Sequence, residues 1–304
     1  MAGTPEDAAQ PTRYEVLVLG NGVMGRGIAK TFAARGMATA VVSRSASPAA
    51  AAAMPPGVAL LDALPGAPPA LVIESVIEDI PAKHAVYAQL ESRYGGAPVI
   101  ATNTSALDIE LLAAPLAYPQ RFMAAHYYMP ADAMPQVEIA PCAKTDPAAY
   151  ALAKAYLERS GKQVLALRRA VPGLLNRIQH AMMHEAYYLI AQGICSAEEI
   201  DAFCRESFGP RMCIGGLILQ KDISGLDVNA MSQRAMVPHL CHSAEPQRPV
   251  QDLYEAGHLG IKTGRGFYDW AGRDAAEVKR EHSEKLQKLN AFLATIRTAN
   301  PPAA

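Results

Sequence analysis

The pattern of hydrophobic and polar residues divides this chain into two parts near residue 170. In the first part, short apolar runs alternate with segments whose apolar residues recur at helical spacing. The runs that we predict as strands are residues 16–19, 38–42, 71–73, 98–101, 122–125, 136–139 and 163–167. Because these strands alternate with helices, such as one predicted at residues 81–94, the pattern favours a parallel, doubly wound sheet.

Helical spacing then continues almost to the end of the chain. Leu175, Ile178, Met182 and Leu189 follow one another at intervals that place them on one face of a helix. We therefore predict an α/β domain at residues 13–170 and an all-α domain at residues 171–304. The all-α domain is expected to end in an amphipathic helix at residues 277–298, and residues 1–12 are expected to form a disordered tail.

A glycine motif follows the first apolar run directly. Gly20, Gly22 and Gly25 have the spacing G-x-G-x-x-G between a predicted strand and a predicted helix. In that context the glycines allow a tight turn, a close approach of pyrophosphate to the backbone, and close packing of the helix on the strand. The motif predicts a Rossmann-like dinucleotide site that includes Val23 and Met24. The alternative is a tight turn that binds no ligand.

The residues after the second predicted strand bear on the choice of cofactor. Sites for NAD usually have an acidic residue there, which binds the 2′-hydroxyl of the ribose. This chain has Ser43, Arg44 and Ser45 instead, which offer hydrogen-bond donors and a positive charge. Because these groups attract a 2′-phosphate, the sequence favours NADP(H) over NAD(H). The simpler interpretation is an exposed arginine after a strand.

Composition narrows the class of protein. The chain has 304 residues, of which 50% are hydrophobic, and a formal net charge of −1 at pH 7. This indicates a globular protein with no nucleic-acid partner. No apolar run is long enough to span a membrane, and the N-terminus does not resemble a signal peptide. The five cysteines are scattered without a C-x-x-C pair, so we expect a cytoplasmic protein with reduced thiols and no metal site.

A histidine and a glutamate are the first candidates for chemistry. His126 follows a predicted strand, and Glu138 stands beyond a turn that contains Pro130 and Pro135. Two neighbouring strand ends can bring such side chains together. A histidine held by a carboxylate is a common general base for removing a proton from an alcohol. From the spacing alone, a surface histidine with an unrelated glutamate is the favoured interpretation.

A family resemblance changes that interpretation. From about Tyr14 to Trp270, ordered segments resemble the L-3-hydroxyacyl-CoA dehydrogenases and their L-gulonate and carnitine dehydrogenase relatives. LGNGVMGRGIA is similar to their nucleotide loop, IESVIEDIPAKHAVYAQLE to E-x-x-x-E-x-x-x-x-K, and ATNTSALDI to S-N-T-S-S. RFMAAHYYMPADAMPQVEI resembles R-F-x-x-x-H-F-F-N-P-x-x-x-M-x-L-V-E-V, and PGLLNRIQHAMMHEA resembles the family's G-F-x-x-N-R. ISGLDV and GIKTGRGFYDW resemble its last two segments.

The resemblance implies a role for each matching residue. His126 becomes the general base in oxidation and the acid in reduction, and Glu138 orients it. Ser105 and Asn176 are implied to hydrogen-bond the reacting oxygen of the substrate. The residues implied to lie at the cofactor are Glu78, Lys83, Asn103 and Lys262. Simpler interpretations are a turn residue at Ser105, a helix cap at Asn176 and a solvated charge at Lys262.

Departures from the family pattern bear on the substrate. Met129 stands where the family has an asparagine that helps to place the nicotinamide, and a thioether donates no hydrogen bond. Relatives that bind acyl-CoA have a helical insertion after the second strand, with a serine and a lysine that contact CoA. Here residues 46–70 are rich in alanine and proline and contain no lysine or arginine. Met129, Tyr127 and Arg177 are therefore predicted to line a pocket for a small acid.

These features together favour an NADP(H)-dependent oxidoreductase that interconverts a small 3-hydroxy acid and its 3-oxo form without CoA. The resemblance also implies a homodimer formed through the helical domain, with the active site in the cleft between the two domains. Two alternatives stay open: an L-3-hydroxyacyl-CoA dehydrogenase that uses NAD, and a non-catalytic cofactor-binding protein. Retention of His126, Glu138, Ser105 and Asn176 argues against the second alternative.

Overall fold

The computed structural model describes residues 13–296 except Pro172 and Leu174. The chain divides into two compact units, Met1–Arg177 and Ile178–Ala304. The tail expected at residues 1–12 and the last two residues of the helix expected at 277–298 lie outside the described residues.

The first unit contains one sheet of eight strands. In chain order the strands are β1 (Val16–Leu19), β2 (Thr39–Val42), β3 (Val58–Leu61), β4 (Leu71–Glu74), β5 (Val99–Thr102), β6 (Phe122–Tyr127), β7 (Gln136–Pro141) and β8 (Gln163–Ala166). Their order in the sheet is β3-β2-β1-β4-β5-β6-β7-β8. This α/β sheet, followed by a helical second unit, is the predicted fold class.

One pairing differs from the wholly parallel sheet that the sequence predicts. Strands β6 and β7 are antiparallel, whereas the other neighbouring strands are parallel. The physical reason is the connection at residues 128–135, which is too short for the crossover that two parallel strands need. This reversal places β6 and β7 side by side with their residues in direct opposition.

The helices of the first unit cover both faces of this sheet. They are α1 (Val23–Ala33), α2 (Pro48–Ala52), α3 (Ile80–Tyr94), α4 (Ile109–Ala113) and α5 (Pro147–Arg159). Phe32 of α1 and Leu157 of α5 belong to one buried apolar cluster, and Tyr87 of α3 and Leu112 of α4 belong to another. Because both faces are covered, the central strands are apolar at nearly every position, which explains their continuous hydrophobic runs.

Strand β3 was missing from the sequence prediction. The prolines of residues 46–70 do prevent a long helix, and α2 has only five residues. The four residues of β3 are all partly exposed, as expected at the edge of a sheet. Their short apolar run lies among alanines and prolines, so it has no distinctive strand pattern. This strand matters for the site, because its carboxyl end lies beside that of β2.

The second unit is helical. Helix α6 (Asn176–Ala191) begins at its boundary, and the later helices are α7 (Ala197–Phe203), α8 (Gly209–Gly215), α9 (Leu219–Ser224), α10 (Leu226–Met236), α11 (Arg248–Glu255) and α12 (Ala275–Ile296). Among its described residues, Leu293 of α12 is the one buried apolar side chain. In the described part of the chain, no helix has both the length and the apolar composition needed to cross a membrane.

Candidate active site

A cleft of about 950 Å³ opens at the carboxyl ends of the strands of the first unit. Open α/β sheets bind their ligands at this edge, because loops and helix N-termini converge there. The predicted site residues that line the cleft are Gly20, Gly22, Val23, Met24, Ser43, Arg44, Ser45, Glu78, Asn103, Ser105, His126, Tyr127 and Met129. The structure therefore brings together the glycine motif, the end of β2 and the candidate base.

The glycine motif has the backbone that a dinucleotide turn requires. Gly20 has φ +110°, and a Cβ there would also collide with the carbonyl oxygen of Ser75. A Cβ on Gly25 would collide with the carbonyl of Gly20, so helix α1 packs closely on this turn. A Cβ on Gly22 would meet nothing within 4 Å. That position faces open space, where a ligand can approach the backbone.

The N-terminus of α1 fits a pyrophosphate. Gly22 is its N-cap and provides no side-chain hydrogen bond, and the first turn of the helix contains no acidic residue. The first N–H groups of the helix are thus left for an anion, which the helix dipole also favours. Nearby, the buried Oδ1 atom of Asn21 has no hydrogen-bond partner among the described residues. These observations agree with a nicotinamide dinucleotide bound at this turn.

The end of β2 has a neighbour that the sequence analysis missed. Val42 pairs with Leu61 of β3, so Ser43 and Asp62 follow at the same edge, and both line the cleft. The Ser43 hydroxyl lies 3.0 Å from that of Ser45, and Arg44 is exposed. An acidic residue therefore does border this end of the cleft, but it comes from β3. The sequence does not indicate that Asp62 borders the cleft, because strand β3 is not predicted.

His126 and Glu138 form a cross-strand pair. They face each other on antiparallel β6 and β7, and His126 Nδ1 lies 2.8 Å from Glu138 Oε2. The sequence predicts that two strand ends meet, whereas the contact lies within the paired strands. The histidine side chain is 7% exposed and the glutamate side chain 0%. The contact agrees with the predicted pair, while its role in catalysis stays a prediction.

The hydrogen bonds of this pair determine which ring nitrogen is available. A carboxylate accepts, so the proton lies on His126 Nδ1, and Nε2 is left as the acceptor for a substrate proton. The other carboxylate oxygen, Oε1 of Glu138, accepts from the backbone N–H of Leu175 at 3.0 Å. Leu175 immediately precedes α6 and the predicted substrate ligand Asn176. This hydrogen bond holds the backbone at Leu175 against the pair.

Lys83 is buried next to the cleft, and its implied contact with the cofactor stays a prediction. It is 1% exposed, and its ammonium donates to both oxygens of Glu74, at 2.8 and 3.0 Å. Glu74 also accepts from the hydroxyls of Tyr87 at 2.6 Å and Thr102 at 2.8 Å. A buried ammonium needs such partners. In the described structure, Lys83 therefore lies beneath the cleft and is not among the residues that line it. Sequence analysis gave Glu74 no role, although it stands in the matching segment.

Glu78 connects this buried group to the cleft. It lies 3.3 Å from the Lys83 ammonium and accepts from the Thr104 hydroxyl and from the backbone N–H of Ser105 at 2.9 Å. Burial opposes ionisation, but the Thr104 hydrogen bond and the Lys83 charge hold the pKa of Glu78 below its usual value. Glu78 is therefore an anion that fixes the backbone at Ser105.

Asn103 joins the loops that follow three strands. Its side-chain oxygen accepts from the N–H of Tyr127 at 2.8 Å, and its amide nitrogen lies 3.4 Å from the Ser75 hydroxyl. Tyr127 borders the cleft, but its ring is buried in the core with 2% of the residue exposed, so it offers little surface to a substrate. On a strand, the residue after His126 points to the opposite face. Met129 is 69% exposed and lines the cleft as predicted.

The remaining predicted residues stay predictions. Asn176 is the first residue of α6, and Arg177 is exposed in the same turn. Lys262 belongs to the second unit, where it is exposed between Gly260 and Gly264. Among the residues that the structure describes, no group of three or more His, Cys, Asp or Glu side chains is placed to hold a metal.

A dinucleotide turn and a histidine–carboxylate pair in one cleft define a nicotinamide-dependent oxidoreductase. Comparison with known proteins agrees. The family profile described as 3-hydroxyacyl-CoA dehydrogenase, NAD binding domain, matches residues 62–170, and the C-terminal domain of the same enzyme matches residues 174–270. The chain belongs to the 3-hydroxyacyl-CoA dehydrogenase family.

Relatives in this family differ in their substrates. The 3-hydroxybutyryl-CoA dehydrogenase of Bradyrhizobium diazoefficiens is 33% identical over 66% of this chain and 68% of its own length. The 5-formyl-3-hydroxy-2-methylpyridine 4-carboxylate 5-dehydrogenase of Mesorhizobium japonicum is 27% identical over 76% of this chain and 75% of its own.

Two solved structures are similar in fold. A structure of a 5-dehydrogenase for the same pyridine carboxylate, described as NAD⁺-dependent, has a TM-score of 0.86 at 24% identity, covering 94% of this chain and 100% of its own. A 3-hydroxyacyl-CoA dehydrogenase of Archaeoglobus fulgidus has a TM-score of 0.69 at 28% identity, covering 93% of this chain and 99% of its own.

Proposed function

We propose that this chain is a dehydrogenase that interconverts a small hydroxy acid and its oxo form, and that its substrate is not a CoA ester. The observation that carries this proposal is the segment after β2. It contains only the five-residue helix α2 and the short edge strand β3, and residues 46–70 contain no lysine or arginine. CoA has a pyrophosphate and a 3′-phosphate, and proteins that bind it normally place cations along its path.

The known relatives support both a CoA ester and a free acid as the substrate. One of them is named for a CoA ester, whereas the Mesorhizobium enzyme is named for a pyridine carboxylate. The exposed thioether of Met129 and the half-buried ring of Tyr128 form part of the cleft wall. Such a wall suits a substrate with a short or aromatic side chain.

The mechanism follows from the geometry of the pair. In oxidation, His126 Nε2 removes the proton of the substrate hydroxyl, and in reduction it returns that proton. Glu138 stabilises the positive charge that His126 acquires and keeps the ring in the required tautomer. The bound nicotinamide would accept or supply the hydride. Ser105 and Asn176 hydrogen-bond the reacting oxygen, so that base and donors act on one atom.

The test of the substrate is a direct comparison. We expect reduction of a series of free 3-oxo acids and aromatic aldehydes or keto acids, with acetoacetyl-CoA a poor substrate. If acetoacetyl-CoA has a kcat/KM of about 10⁴ M⁻¹s⁻¹ or more while the free acids are inert, the chain is a 3-hydroxyacyl-CoA dehydrogenase. Cofactor binding without turnover of any of these compounds would support a non-catalytic binding protein.

For the cofactor, we infer a preference for NADP(H), supported by Arg44 at the end of β2. A guanidinium–phosphate contact contributes about 1.5–3 kcal/mol. NAD(H) is the second candidate, because the matching family domain binds NAD and because Asp62 lies beside Ser43. A carboxylate beside the ribose would repel a 2′-phosphate.

Binding titrations separate the two cofactor candidates without any substrate. Nucleotide binding to the wild type, Arg44→Ala and Asp62→Asn is measured by fluorescence or calorimetry. We expect Arg44→Ala to weaken NADPH binding about 10- to 100-fold with little effect on NADH. Asp62→Asn should instead strengthen NADPH binding. Equal or tighter binding of NADH by the wild type would show that the missing acid on β2 was over-interpreted.

We also propose that the chain forms a homodimer through the helical unit. The large apolar residues that the second unit exposes include Phe203, Ile214, Ile218, Ile223, Met231 and Tyr254. Apolar surface of this kind is typical of a protein–protein interface. A second copy is the occupant that fits, because homo-oligomers with isologous interfaces are the common solution for such surfaces. All five cysteines are free thiols, in keeping with our proposal of a cytoplasmic protein.

A further inference from the structure

A thiol, an imidazole and an amide meet in the second unit. Cys241 Sγ lies 3.4 Å from Nε2 of His184. The side-chain nitrogen of Gln247 lies 3.3 Å from this sulfur and 3.2 Å from the same imidazole nitrogen. His184 belongs to α6, whereas Cys241 and Gln247 lie in the segment that leads into α11. The fold therefore brings a nucleophilic side chain against a group that can accept its proton.

The backbone at Cys241 is attached to the same helix. Its N–H donates to Oε2 of Glu185 at 2.8 Å. Because Glu185 and His184 are consecutive residues of α6, this hydrogen bond holds the thiol next to the imidazole. Cys241 is partly exposed, whereas Cys142 of the first unit is buried.

A cavity of about 570 Å³ adjoins the thiol, and both of its side-chain partners line it. This volume is in the range of pockets that bind small organic molecules, about 300–1,000 Å³. The lining combines hydrogen-bonding and apolar side chains, among them His180, Met183, Tyr187, Ser243, Val250 and Gln251. Such a lining suits a ligand with both polar groups and a carbon skeleton.

The other cysteines have different surroundings. Cys142 Sγ lies 3.1 Å from the hydroxyl of Thr145, and Cys213 is exposed on the surface. Among the hydrogen bonds of the described residues, only that of Cys241 joins a thiol to an imidazole. The chain therefore contains internal standards against which the reactivity of Cys241 can be measured.

The contacts of Cys241 favour formation of its nucleophilic form. A thiolate is the form that attacks, and an unassisted cysteine is only a few per cent ionised at pH 7. Once His184 Nε2 takes the proton, both the imidazolium and the Gln247 amide can donate to the sulfur. The charge of Glu185 opposes a thiolate, although its Oε2 is occupied by the N–H of Cys241. The other ionisable groups that line the cavity are His180 and Glu245.

We propose that Cys241 is a site of reversible thiol modification, which His184 activates and which exchanges with a small organic disulfide bound in the adjoining cavity. His184 Nε2 takes the thiol proton, and Cys241 Sγ forms a bond with one sulfur of the ligand. The S–S bond of the ligand breaks, and the leaving thiolate takes the proton from His184. Cys241 is thereby oxidised to a mixed disulfide, half of the ligand is reduced to a thiol, and no further reactant is needed. This site does not depend on the proposed dehydrogenase function.

The first experiment compares the cysteines of the full-length wild type. The protein is mixed at pH 7 with an aromatic disulfide that releases a coloured thiolate, and the modified cysteines are identified by mass spectrometry. We expect Cys241 to react about tenfold faster than Cys213, because activation raises a thiolate fraction of a few per cent while nucleophilicity falls somewhat. The fast phase should disappear in Cys241→Ser and persist in Cys213→Ser. Equal rates, or a slower reaction at Cys241, would overturn the proposal.

The second experiment uses the matched variants His184→Gln and His242→Gln. Glutamine forms hydrogen bonds but does not take a proton at neutral pH. His242 adjoins Cys241 in the chain, but its Nε2 lies 3.0 Å from the carbonyl of Val237. We expect the rate at Cys241 to fall about tenfold in His184→Gln and to stay unchanged in His242→Gln. Unfolding would instead accelerate the partly buried Cys195, and an unchanged rate at Cys241 in folded His184→Gln would overturn the proposal.

The third experiment tests the cavity with oxidised glutathione. Ala244 is exposed and lines the cavity, so Ala244→Trp fills part of it without removing a polar contact. We expect this variant to slow the exchange of Cys241 with oxidised glutathione several-fold. Its reaction with iodoacetamide, a much smaller reagent, should change little. If the substitution affects both reagents equally, or neither of them, the cavity does not bind the disulfide and the proposal fails.

Discussion

The two units of this chain differ in how they bury their side chains. In the first unit, both faces of the sheet are covered, and even charged residues such as Glu74, Lys83 and Glu138 are buried with partners. In the second unit, the described residues include only one buried apolar side chain, and Ile218 and Ile223 are each 76% exposed. The first unit buries most of its apolar strand residues and pairs these buried charges, whereas the second leaves many large apolar side chains exposed.

This difference indicates a division of roles. Catalytic side chains must be held within narrow limits of position, and a close-packed sheet with paired buried groups provides that rigidity. An exposed apolar surface provides no such rigidity until another surface covers it. We therefore expect substitutions in the first unit to affect chemistry and those on the surface of the second to affect assembly.

The largest effect is expected at His126. His126→Ala removes the group that exchanges a proton with the substrate, so kcat should fall about 10²- to 10⁴-fold. Cofactor affinity and the oligomeric state should change little, because the substitution lies in neither the glycine motif nor the second unit. The measurements are steady-state kinetics, nucleotide titration and light scattering.

His84→Ala is a matched control within the first unit. His84 is partly exposed on α3, and its Nε2 lies 3.2 Å from the carbonyl of Leu111, outside the cleft lining. We expect near-normal turnover for this variant. Near-normal turnover of His126→Ala would remove the histidine from the mechanism.

An intermediate effect is expected on the surface of the second unit. If a second copy covers Ile218, then Ile218→Asp places a charge in the interface and loses about 1.5–3 kcal/mol of burial. The dimer dissociation constant should rise at least about tenfold, measured by analytical ultracentrifugation.

Leu111 offers the matched substitution in the first unit. It is 57% exposed on α4, and Leu111→Asp should leave the oligomeric state unchanged. The contrast between the units would be contradicted if the wild type were a monomer. It would also be contradicted if Ile218→Asp and Leu111→Asp raised the dimer dissociation constant equally.

The smallest effect concerns an ion pair at the rim of the sheet. The ammonium of Lys30 lies 2.7 Å from Asp132. Burial raises the pKa of Asp132, but the hydrogen bond and charge of Lys30 outweigh it and hold the pKa below its usual value. A lowered folded-state pKa stabilises the fold above the unfolded value, about 4, and this contribution disappears as the pH falls through the folded-state value.

Asp132→Asn should therefore lower the melting temperature slightly at pH 7, for a loss below about 1 kcal/mol. The difference from the wild type should shrink as the pH is lowered from 5 toward 2, measured by calorimetry. Glu284→Gln removes a more exposed pair with Arg280 in the second unit and should have a smaller effect at pH 7. If the difference in melting temperature between Asp132→Asn and the wild type stayed constant across this pH range, the charge of Asp132 would not contribute to stability.

The sequence predicted the layered first unit well, because buried parallel strands leave continuous apolar runs such as Val16–Leu19. It also predicted helix α3 at residues 81–94, because Pro81 is suited to the first turn of a helix. The edge strand β3 could not be predicted, because a half-exposed strand of four residues has no distinctive period. Asp62 was overlooked with it.

The sequence also identified the candidate base, but it did not predict how that histidine contacts its carboxylate. The family resemblance selects His126 and Glu138, but their opposition depends on the antiparallel pairing of β6 with β7. The short connection between the two predicted strands favours that pairing, whereas the register that sets the two side chains opposite each other depends on the rest of the sheet. The buried contact of Lys83 with Glu74 is likewise tertiary, since it joins a helix to a strand end. A matching motif therefore indicated Lys83 but not its buried partner.

The buried contact between Glu74 and Lys83 also constrains how this sequence can change during evolution. Replacing either residue alone leaves a charge buried beneath the cleft without its main partner, at a cost of about 3–5 kcal/mol. Replacing both with apolar side chains of similar volume is often neutral. A lineage that alters one position must therefore pass through a poorly folded intermediate or change both at once. Glu74 and Lys83 are consequently expected to be inherited together, even where the substrate has diverged.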